Sequence, residues 1–434
     1  MNEKELPDHL REDNLSEETK TLISSLPSTK DFLGKLYNYQ GCWYYPNTLL
    51  GVRNFQKGFK PQETDIVIAS FPKSGTTWLK ALTVALLERL KNNSSNVPHP
   101  LQSDNPHGLV PFLETNLYLN SSTPDLTKFS SPRLFSTHMP LHTLQVPFKD
   151  SPCKIVYVCR DVKDVLVSQW FFRCAYLQKE LDKSLLESSF ESLCSGVVYF
   201  GPFWENVLSY WKGSLEDPEH VLFMRYEEMK SDPAAQVKRL AKFLGCPFTE
   251  EEEGGSVDKI LELCSLRSLS SMEINKTGKT SNNVHYSNFF RKGEVGDSKN
   301  HLTPEMDNKI DMIVEEKYKG SGGGKLRQCK QLAYFLDSPS PRFGRRAKYI
   351  HINTCMHTND IDDTIRKLQP PQGPLTEMIN CCALQESKTR DDMISCCALQ
   401  ESKTIAYNIV AGFKLNSIYQ STKAEYWRLY ICPP

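Results

Sequence analysis

The sequence predicts an α/β fold, a single three-layer domain built on a central parallel sheet, and three observations carry that prediction. Short β-branched runs alternate with helical periodicity along most of the chain, the pattern of a parallel sheet covered on both faces. The runs lead to polar residues, Lys73, His138, Arg160 and Tyr226, at the points where strands would stop. The first run opens into a turn that joins a lysine and a glycine to the hydroxyl residues Ser74, Thr76 and Thr77.

Residues 1–30 are polar and hold one short helix, Ser16–Ser25, with Ser16 as its cap and Glu17 and Glu18 in its first turn. Gln40–Pro46 is aromatic; core packing is the preferred reading and pocket lining the other. Ile66–Ala69 reads as a buried parallel strand. After the turn, Leu79, Leu82, Leu86 and Leu90 recur at helical spacing with Lys80, Glu88, Arg89 and Lys91 between them, the pattern of an amphipathic helix. Residues 92–108 are rich in Asn, Ser, Pro and His and read as a loop. A second unit begins at Pro132, where a short apolar stretch ends at His138 and is stopped by Pro140. Lys154–Arg160 is a β-branched strand that runs into helical spacing over Asp161–Trp170. The third unit is His220–Tyr226, followed by a helix over Ala234–Leu244 with Asp232 as cap, Pro233 in its first turn and Gly245 at its end.

In such sheets ligands bind beyond the carboxyl ends of the strands, so the four polar strand ends mark a candidate site. The turn Lys73–Thr77 delivers backbone N–H groups at a helix N-terminus and adds a lysine, which suits an anion. An ordinary polar turn is the plainer reading of that stretch taken alone. Arg291 and Lys292, followed by Gly293 and Gly296, form a second anion-binding candidate, for which a solvated basic turn is the plainer reading.

Composition sets outer bounds. With 39% hydrophobic and 24% charged residues the chain is that of a soluble globular protein. Basic and acidic residues balance at 52 each, which argues against a general polyanion binder, nucleic acid included, while leaving room for a local anion pocket. No apolar run reaches about 18 residues, so no membrane span is expected. The polar start, Met1–Glu5, has neither an apolar h-region nor Arg-rich amphipathic character, and a cytoplasmic location is expected. Of the 14 cysteines, those before residue 321 are scattered in apolar contexts and are expected as buried free thiols. From residue 321 the character changes: Gly322–Gly324, repeated prolines, and a duplicated stretch in which Met378–Thr389 returns as Met393–Thr404. The adjacent pairs Cys381–Cys382 and Cys396–Cys397 lack the spacing of zinc sites. The expected organisation is one domain over residues 1–322 and a poorly ordered C-terminal extension, without a recognisable fold, over 323–434.

Pro72–Trp78 resembles the signature loop of the cytosolic sulfotransferases, the turn with which that family holds the 5′-phosphosulfate of 3′-phosphoadenosine 5′-phosphosulfate (PAPS). Arg291–Asp297 resembles the family's second signature, which wraps the 3′-phosphate. Between them, Thr137–His138 matches the position of the catalytic histidine, Arg160 and Ser168 match 3′-phosphate ligands, and Tyr226 matches a residue near the adenine. The resemblance spans roughly residues 15–322, and Leu134–His138 and Asn275–Gly278 are similar to its plant branch. It implies PAPS as co-substrate, no metal, and a hydroxyl acceptor of flavonoid, steroid, hydroxyjasmonate or desulfoglucosinolate type. It implies His138 as general base, and Lys73 with the N–H groups of Ser74, Gly75, Thr76 and Thr77 as the positive charge at the leaving phosphate. Arg160, Ser168, Arg291, Lys292 and Gly293 would clamp the donor, with Trp78 and Tyr226 beside the adenine. His142 reads as structural. The acceptor pocket is expected from loops 40–50, 104–118, 170–200 and 275–290.

The chain departs from the family pattern at two places. Ser298 stands where the second signature carries tryptophan, a change expected to loosen the segment that closes over the co-substrate. Of the animal dimerisation motif only Lys299 and Thr303 fit, while Pro304 and Asn308 do not, so a monomer is expected. Two alternatives stay open: a catalytically impaired PAPS-binding or scaffold protein, and a P-loop-type nucleotide kinase. Against the kinase, Lys73 precedes Gly75, whereas a Walker loop places its lysine after the glycine.

Overall fold

The computed structural model describes residues 7–319, except 14, 32, 92–97, 149–150, 178, 251, 253–254 and 282. The expectation of a poorly ordered extension over 323–434 therefore lies outside the described residues, as do the cysteine pairs and the duplicated stretch. A small antiparallel sheet joins β1 (Ser28–Lys30), β2 (Lys35–Tyr39) and β3 (Cys42–Tyr44). The central sheet is parallel throughout. Its strands are β4 (Ile66–Ser70), β5 (Leu134–Thr137), β6 (Lys154–Cys159) and β7 (Val221–Arg225), in the order β5-β4-β6-β7. Pairing of Ala69 with Thr137, Ser70 with Val158 and Cys159 with Arg225 brings the four carboxyl ends level.

The helices of eight residues or more are α1 (Glu17–Ser25), α2 (Pro46–Gly58), α3 (Thr76–Arg89), α4 (Leu141–Phe148), α5 (Val162–Tyr176), α6 (Lys183–Cys194), α7 (Phe203–Glu216), α8 (Pro233–Leu244), α9 (Ser256–Leu263) and α10 (Pro304–Lys317). They lie on both faces of the sheet. On one face Ile66, Ile68, Val156, Val158, Leu222 and Met224 pack with α3, α8 and α9. On the other, Val67, Ala69, Phe135, Ile155, Tyr157 and Phe223 pack with α2, α5 and α7. All five residues of β4 are buried, as a central parallel strand requires when both its faces are covered. The helix that follows β4 and the helix that follows β6 thus lie on opposite faces of adjacent strands. That is a topological switch point, and it opens a crevice at the carboxyl ends of β4 and β6.

The caps expected from the sequence are present. Ser16 accepts from the Thr19 N–H, Asp232 accepts from the Ala235 N–H, and Gly245 ends α8 at φ +80°. The seven described cysteines are all free; Cys159 and Cys194 are half-buried and the others buried. Two expectations fail. The spacing in α3 predicts an amphipathic helix, yet Lys80 is fully buried and Leu90 is 54% exposed. The helix is wedged between the sheet, α8, α9 and the segment before β5, so the side it turns away from the sheet is covered as well. The described part of residues 92–108 is not simply loop. It holds two single-turn helices, Pro100–Ser103 and Pro106–Leu109, each with proline at its start and capped by His99 or Asn105. Gln40–Pro46 divides: Cys42 and Tyr44 belong to the core, while the buried Tyr45 lines the main cavity.

Candidate active site

The turn after β4 is set by backbone geometry that few residues adopt. Lys73 lies at φ +71° and Gly75 at φ +112°, both in the left-handed region, where a lysine is strained. A Cβ on Gly75 would stand 2.8 Å from Tyr226 Cδ2, so the loop needs glycine here for space as well as for φ. The Ser74 N–H turns back to the Phe71 carbonyl at 3.2 Å, and the Leu79 N–H bonds the Gly75 carbonyl at 3.1 Å. The N–H groups at the start of α3 have no intrahelical acceptor, and Gly75, Thr76 and Thr77 all line the cavity. Ser74 is fully buried, off the cavity wall, and its Oγ has no partner.

Lys73 projects between aromatic rings, its Nζ 4.1 Å from the Phe172 centroid and 5.3 Å from that of Phe289. Among the described residues no carboxylate pairs with it. Burial pulls its pKa down to about 7, and repulsion from Arg160 and Arg291 adds to the shift. Three cations therefore converge on one wall. Arg160, just past β6, lies over the Tyr226 ring at 4.5 Å, donates to the Glu294 carbonyl at 2.7 Å and pairs with Asp164 at 3.3 Å. The Nε atoms of Arg160 and Arg291 are buried without partners. Buried donors without acceptors are costly, and two of them beside an unpaired lysine fit a polyanionic ligand.

The second glycine-containing segment is tied to α5 by one carboxylate. Asp164 accepts from the Gly296 N–H at 2.8 Å and the Ser298 N–H at 2.9 Å. Gly293 (φ +65°) and Gly296 (φ +82°) permit that path. Asp297 gathers Arg291, Lys292 at 2.7 Å and Asn300 at 3.0 Å. These hydrogen bonds hold its carboxyl below the usual range against the opposing effect of burial. Lys292 therefore turns to Asp297 and does not line the cavity, whereas Arg291 and Gly293 do. Ser298 is buried and held through its own backbone N–H, so this anchor of the segment does not depend on an indole.

His138 follows β5. Its Nδ1 lies 2.7 Å from the Ser70 carbonyl, which can only accept, so Nδ1 carries the proton and Nε2 the lone pair of the neutral ring. Nε2 has no hydrogen-bond partner among the described residues. Burial is the main cause that lowers the His138 pKa to about 3; the Ser70 hydrogen bond opposes it, and Lys80 and Lys73 add to it. The backbone of His138 is clamped as well. Its N–H donates to Glu114 at 2.8 Å and its carbonyl accepts from Asn206 at 3.0 Å. His142 is exposed, bonds the Gln40 carbonyl at 2.9 Å and lies off the cavity, in keeping with a structural role.

One cavity of about 900 Å³ joins these groups. Lys73, Gly75, Thr76, Thr77, Trp78, His138, Arg160, Ser168, Tyr226, Arg291 and Gly293 all line it. Trp78 and Tyr226 meet edge to face at 5.8 Å. Beyond His138 the walls are aromatic, with Phe112, Phe171, Phe172, Tyr199, Phe200 and Phe289. The four expected loops all contribute, and Pro7, His9, Leu10 and Leu33 join them unforeseen. Sequence reasoning also missed Lys80, His107 and Glu114. Glu114 is fully buried and accepts from the Thr137 hydroxyl at 3.0 Å, and burial raises its pKa to about 7. The one available signal was an acid and a histidine within the mostly apolar stretch 106–119. Among the described residues no cluster of three or more His, Cys, Asp or Glu has a metal-holding arrangement, and no helix is long and apolar enough to cross a membrane.

The family model described as the sulfotransferase domain matches residues 63–322. Cytosolic sulfotransferase 1 of Arabidopsis thaliana is 66% identical over 322 residues, covering 73% of this chain and 97% of that protein. Cytosolic sulfotransferase 8 of the same plant is 65% identical over 332 residues, covering 74% and 99%. Among solved structures, a putative steroid sulphotransferase of Arabidopsis thaliana is similar at 40% identity and TM-score 0.57, covering 73% of this chain and 98% of its own. A mouse sulfotransferase complexed with PAP is similar at 25% identity and TM-score 0.53, covering 69% and 99%.

Proposed function

The chain belongs to the plant cytosolic sulfotransferases and is a PAPS-dependent sulfotransferase, and on that premise we propose that His138 and Lys73 carry the transfer of the sulfuryl group to a hydroxyl of a small acceptor. The observation that supports this most is the convergence of Lys73, Arg160 and Arg291 on the cavity wall that leads to the free Nε2 of His138. Family membership sets aside the nucleotide-kinase reading, and PAP binding by the parent chain without any transfer would favour the impaired scaffold.

On this reading Lys73 and the N–H groups of Gly75, Thr76 and Thr77 hold the phosphosulfate end of PAPS. Arg160, Ser168, Arg291 and Gly293 hold the 3′-phosphate, and Trp78 and Tyr226 flank the adenine. Guanidinium forks suit a terminal phosphate because they bind two oxygens at once. His138 Nε2 takes the proton of the acceptor hydroxyl as the new bond from that oxygen to sulfur forms. The bond from sulfur to the oxygen of the 5′-phosphate breaks, and Lys73 and the loop N–H groups carry the charge that develops there. The low pKa of His138 keeps it in its basic form in the free enzyme. A bound polyanion raises that pKa, because a nearby negative charge favours the imidazolium, and this brings the base closer to neutrality when it must act.

The aromatic wall beyond His138 suits an acceptor with a large apolar part, and the flavonoid, steroid, hydroxyjasmonate and desulfoglucosinolate types are the candidates. A cytoplasmic monomer is the accompanying reading; the relatives named above are called cytosolic. The test is His138→Ala, assayed with a panel of hydroxyl acceptors and, separately, by calorimetric titration with PAP. Transfer is expected to drop by at least about a hundredfold, the scale of general base catalysis, with PAP affinity unchanged. Full turnover in the variant would remove His138 from the base role.

A further inference from the structure

Lys80 raises a question the reaction described so far leaves unanswered. It is a fully buried lysine on a helix wedged beside the site, and buried ammonium groups are costly without compensation. Its Nζ has three neighbours: the Val110 carbonyl at 2.7 Å, His107 Nδ1 at 3.1 Å and the face of the Phe112 ring, 3.7 Å from the centroid. A carbonyl oxygen, an imidazole nitrogen and an aromatic face are all electron-rich, and an ammonium group has three N–H bonds and no lone pair. The surroundings suit the charged form. Burial is the larger effect and pulls the pKa well below the usual lysine range, and the nearby Glu114 carboxyl opposes it. A bound anion would shift the balance further toward the ammonium form.

A charged Lys80 fixes everything downstream of it. Since Nζ can only donate, His107 Nδ1 must accept. The neutral ring then carries its proton on Nε2, which lies 2.9 Å from Thr77 Oγ1. His107 itself is held in place: its N–H donates to Asn105 Oδ1 at 2.8 Å, its ring stacks on Phe112 at 5.6 Å and touches Phe289 at 4.2 Å. Asn105 is bonded in turn to the buried Asn275 at 2.7 Å. Thr77 Oγ1 is therefore an acceptor toward His107, and among the described residues it has no other side-chain partner. Its own proton remains available to the cavity that Thr77 lines.

We propose that Lys80 and His107 are positioning residues, a hydrogen-bond relay that orients the Thr77 hydroxyl as a donor to the 5′-phosphate of the sulfuryl donor. The inference rests on the reading of the Lys73–Thr77 turn as the phosphosulfate site. The relay also has a sense of direction. With Lys80 uncharged, Nζ is able to accept from His107 Nδ1–H, His107 Nε2 then accepts from Thr77, and the hydroxyl proton points away from the ligand. A bound anion favours the charged lysine and hence the productive direction.

The experiment is a mutant cycle read by calorimetric PAP binding on the full chain, with circular dichroism as the check on folding. Thr77→Val removes the hydroxyl, His107→Phe keeps the ring stack but removes both nitrogens, and Lys80→Met keeps the length but removes the charge. Each is expected to weaken PAP by about tenfold or more, as for a hydrogen bond to a charged group. Combined with Thr77→Val, neither His107→Phe nor Lys80→Met is expected to add a further loss, because all three act through one hydroxyl. His107→Gln, which is able to accept from Lys80 and donate to Thr77, is expected to retain most of the affinity. Losses that multiply in the double variants would overturn the relay in favour of plain structural support. Undiminished binding by Thr77→Val would overturn it too, since the hydroxyl would then not be a donor to the ligand. Failure of the parent chain to bind PAP at all would instead bring down the reading of the turn on which the relay rests.

Discussion

Lys73 holds a strained φ, stands between two rings without an acid beside it, and titrates near 7. Each of these features disfavours the free enzyme, and each is relieved or used when a polyanion arrives. The cation gains its counterion, and the left-handed residue is the one that aims the side chain into the crevice. A pH dependence follows with a definite sign. The Lys73 pKa is lowered, so in the free enzyme the ammonium form is lost as pH rises through about 7. Because kcat/KM reports the free enzyme, its value for PAPS is expected to fall from about that pH upward. Bound phosphosulfate restores the charge, so the alkaline limb of kcat should lie at distinctly higher pH. Lys73→Arg, with a cation that does not titrate in this range, should lack the limb in kcat/KM while working more slowly. Steady-state rates across the neutral and alkaline range read all three outcomes. Identical limbs in kcat and kcat/KM would separate the titration from Lys73.

At the scale of elements, the site is a junction between the start of α5 and the segment after Phe290. Asp164 makes that junction by holding two backbone N–H groups of the segment and pairing with Arg160. Asp164→Asn keeps the shape but replaces one acceptor oxygen with a donor and removes the charge. Hydrogen bonds to charged groups contribute about 1.5–3 kcal/mol each, and these are already made in the unliganded protein. The thermal midpoint is therefore expected to drop by several degrees, with cooperative unfolding retained, and PAP affinity to fall by about tenfold or more at temperatures where the variant is folded. Isothermal titration and a melting curve distinguish this from general unfolding. Elements of this kind were legible in the sequence where chemistry and punctuation coincide. The carboxyl ends of β4, β5, β6 and β7 were placed because β-branched runs stop at Lys73, His138, Arg160 and Tyr226 with Pro or Gly close by in two of them. Lys80 was not legible, because the spacing of leucines in α3 says which side meets the sheet but not that Pro106–Leu109 covers the other side. Glu114 and His107 were missed for the same reason: burial of a charged side chain is decided by the segment that folds over it. Lys292 shows the converse, since a basic residue inside an anion-binding signature spends its charge on Asp297 instead.

At the scale of the whole molecule, the cavity draws its walls from Pro7 to Gly293, yet the fold needs residues beyond that point. Helix α10 docks back on α5 and α6, with Lys163 bonded to Asp311 at 2.9 Å, Lys309 to Glu191 at 2.9 Å, and Ile310 and Tyr318 buried. Thr303, one of the two residues that fit the dimerisation motif, caps this helix by accepting from the Met306 N–H, with Pro304 in its first turn. Local capping accounts for Thr303 and Pro304 without a partner subunit. The covering of α5 by α10 also matters to the chemistry, because α5 carries Asp164 and Ser168. A chain that stops before Pro304 would uncover the face of α5 opposite the sheet and is expected to lose both thermal stability and PAP binding. A chain that stops after Gly322 keeps every cavity residue and every contact of α10 found among the described residues, so it is expected to retain the kcat and KM of the full chain. The pair of truncations separates two demands on the C-terminal third. If the chain ending at Gly322 folds but turns over slowly, residues 323–434 contribute to the reaction itself. If both truncated chains behave like the parent, the support of α5 by α10 is dispensable, and the position of Asp164 must be fixed by β6 and the sheet alone.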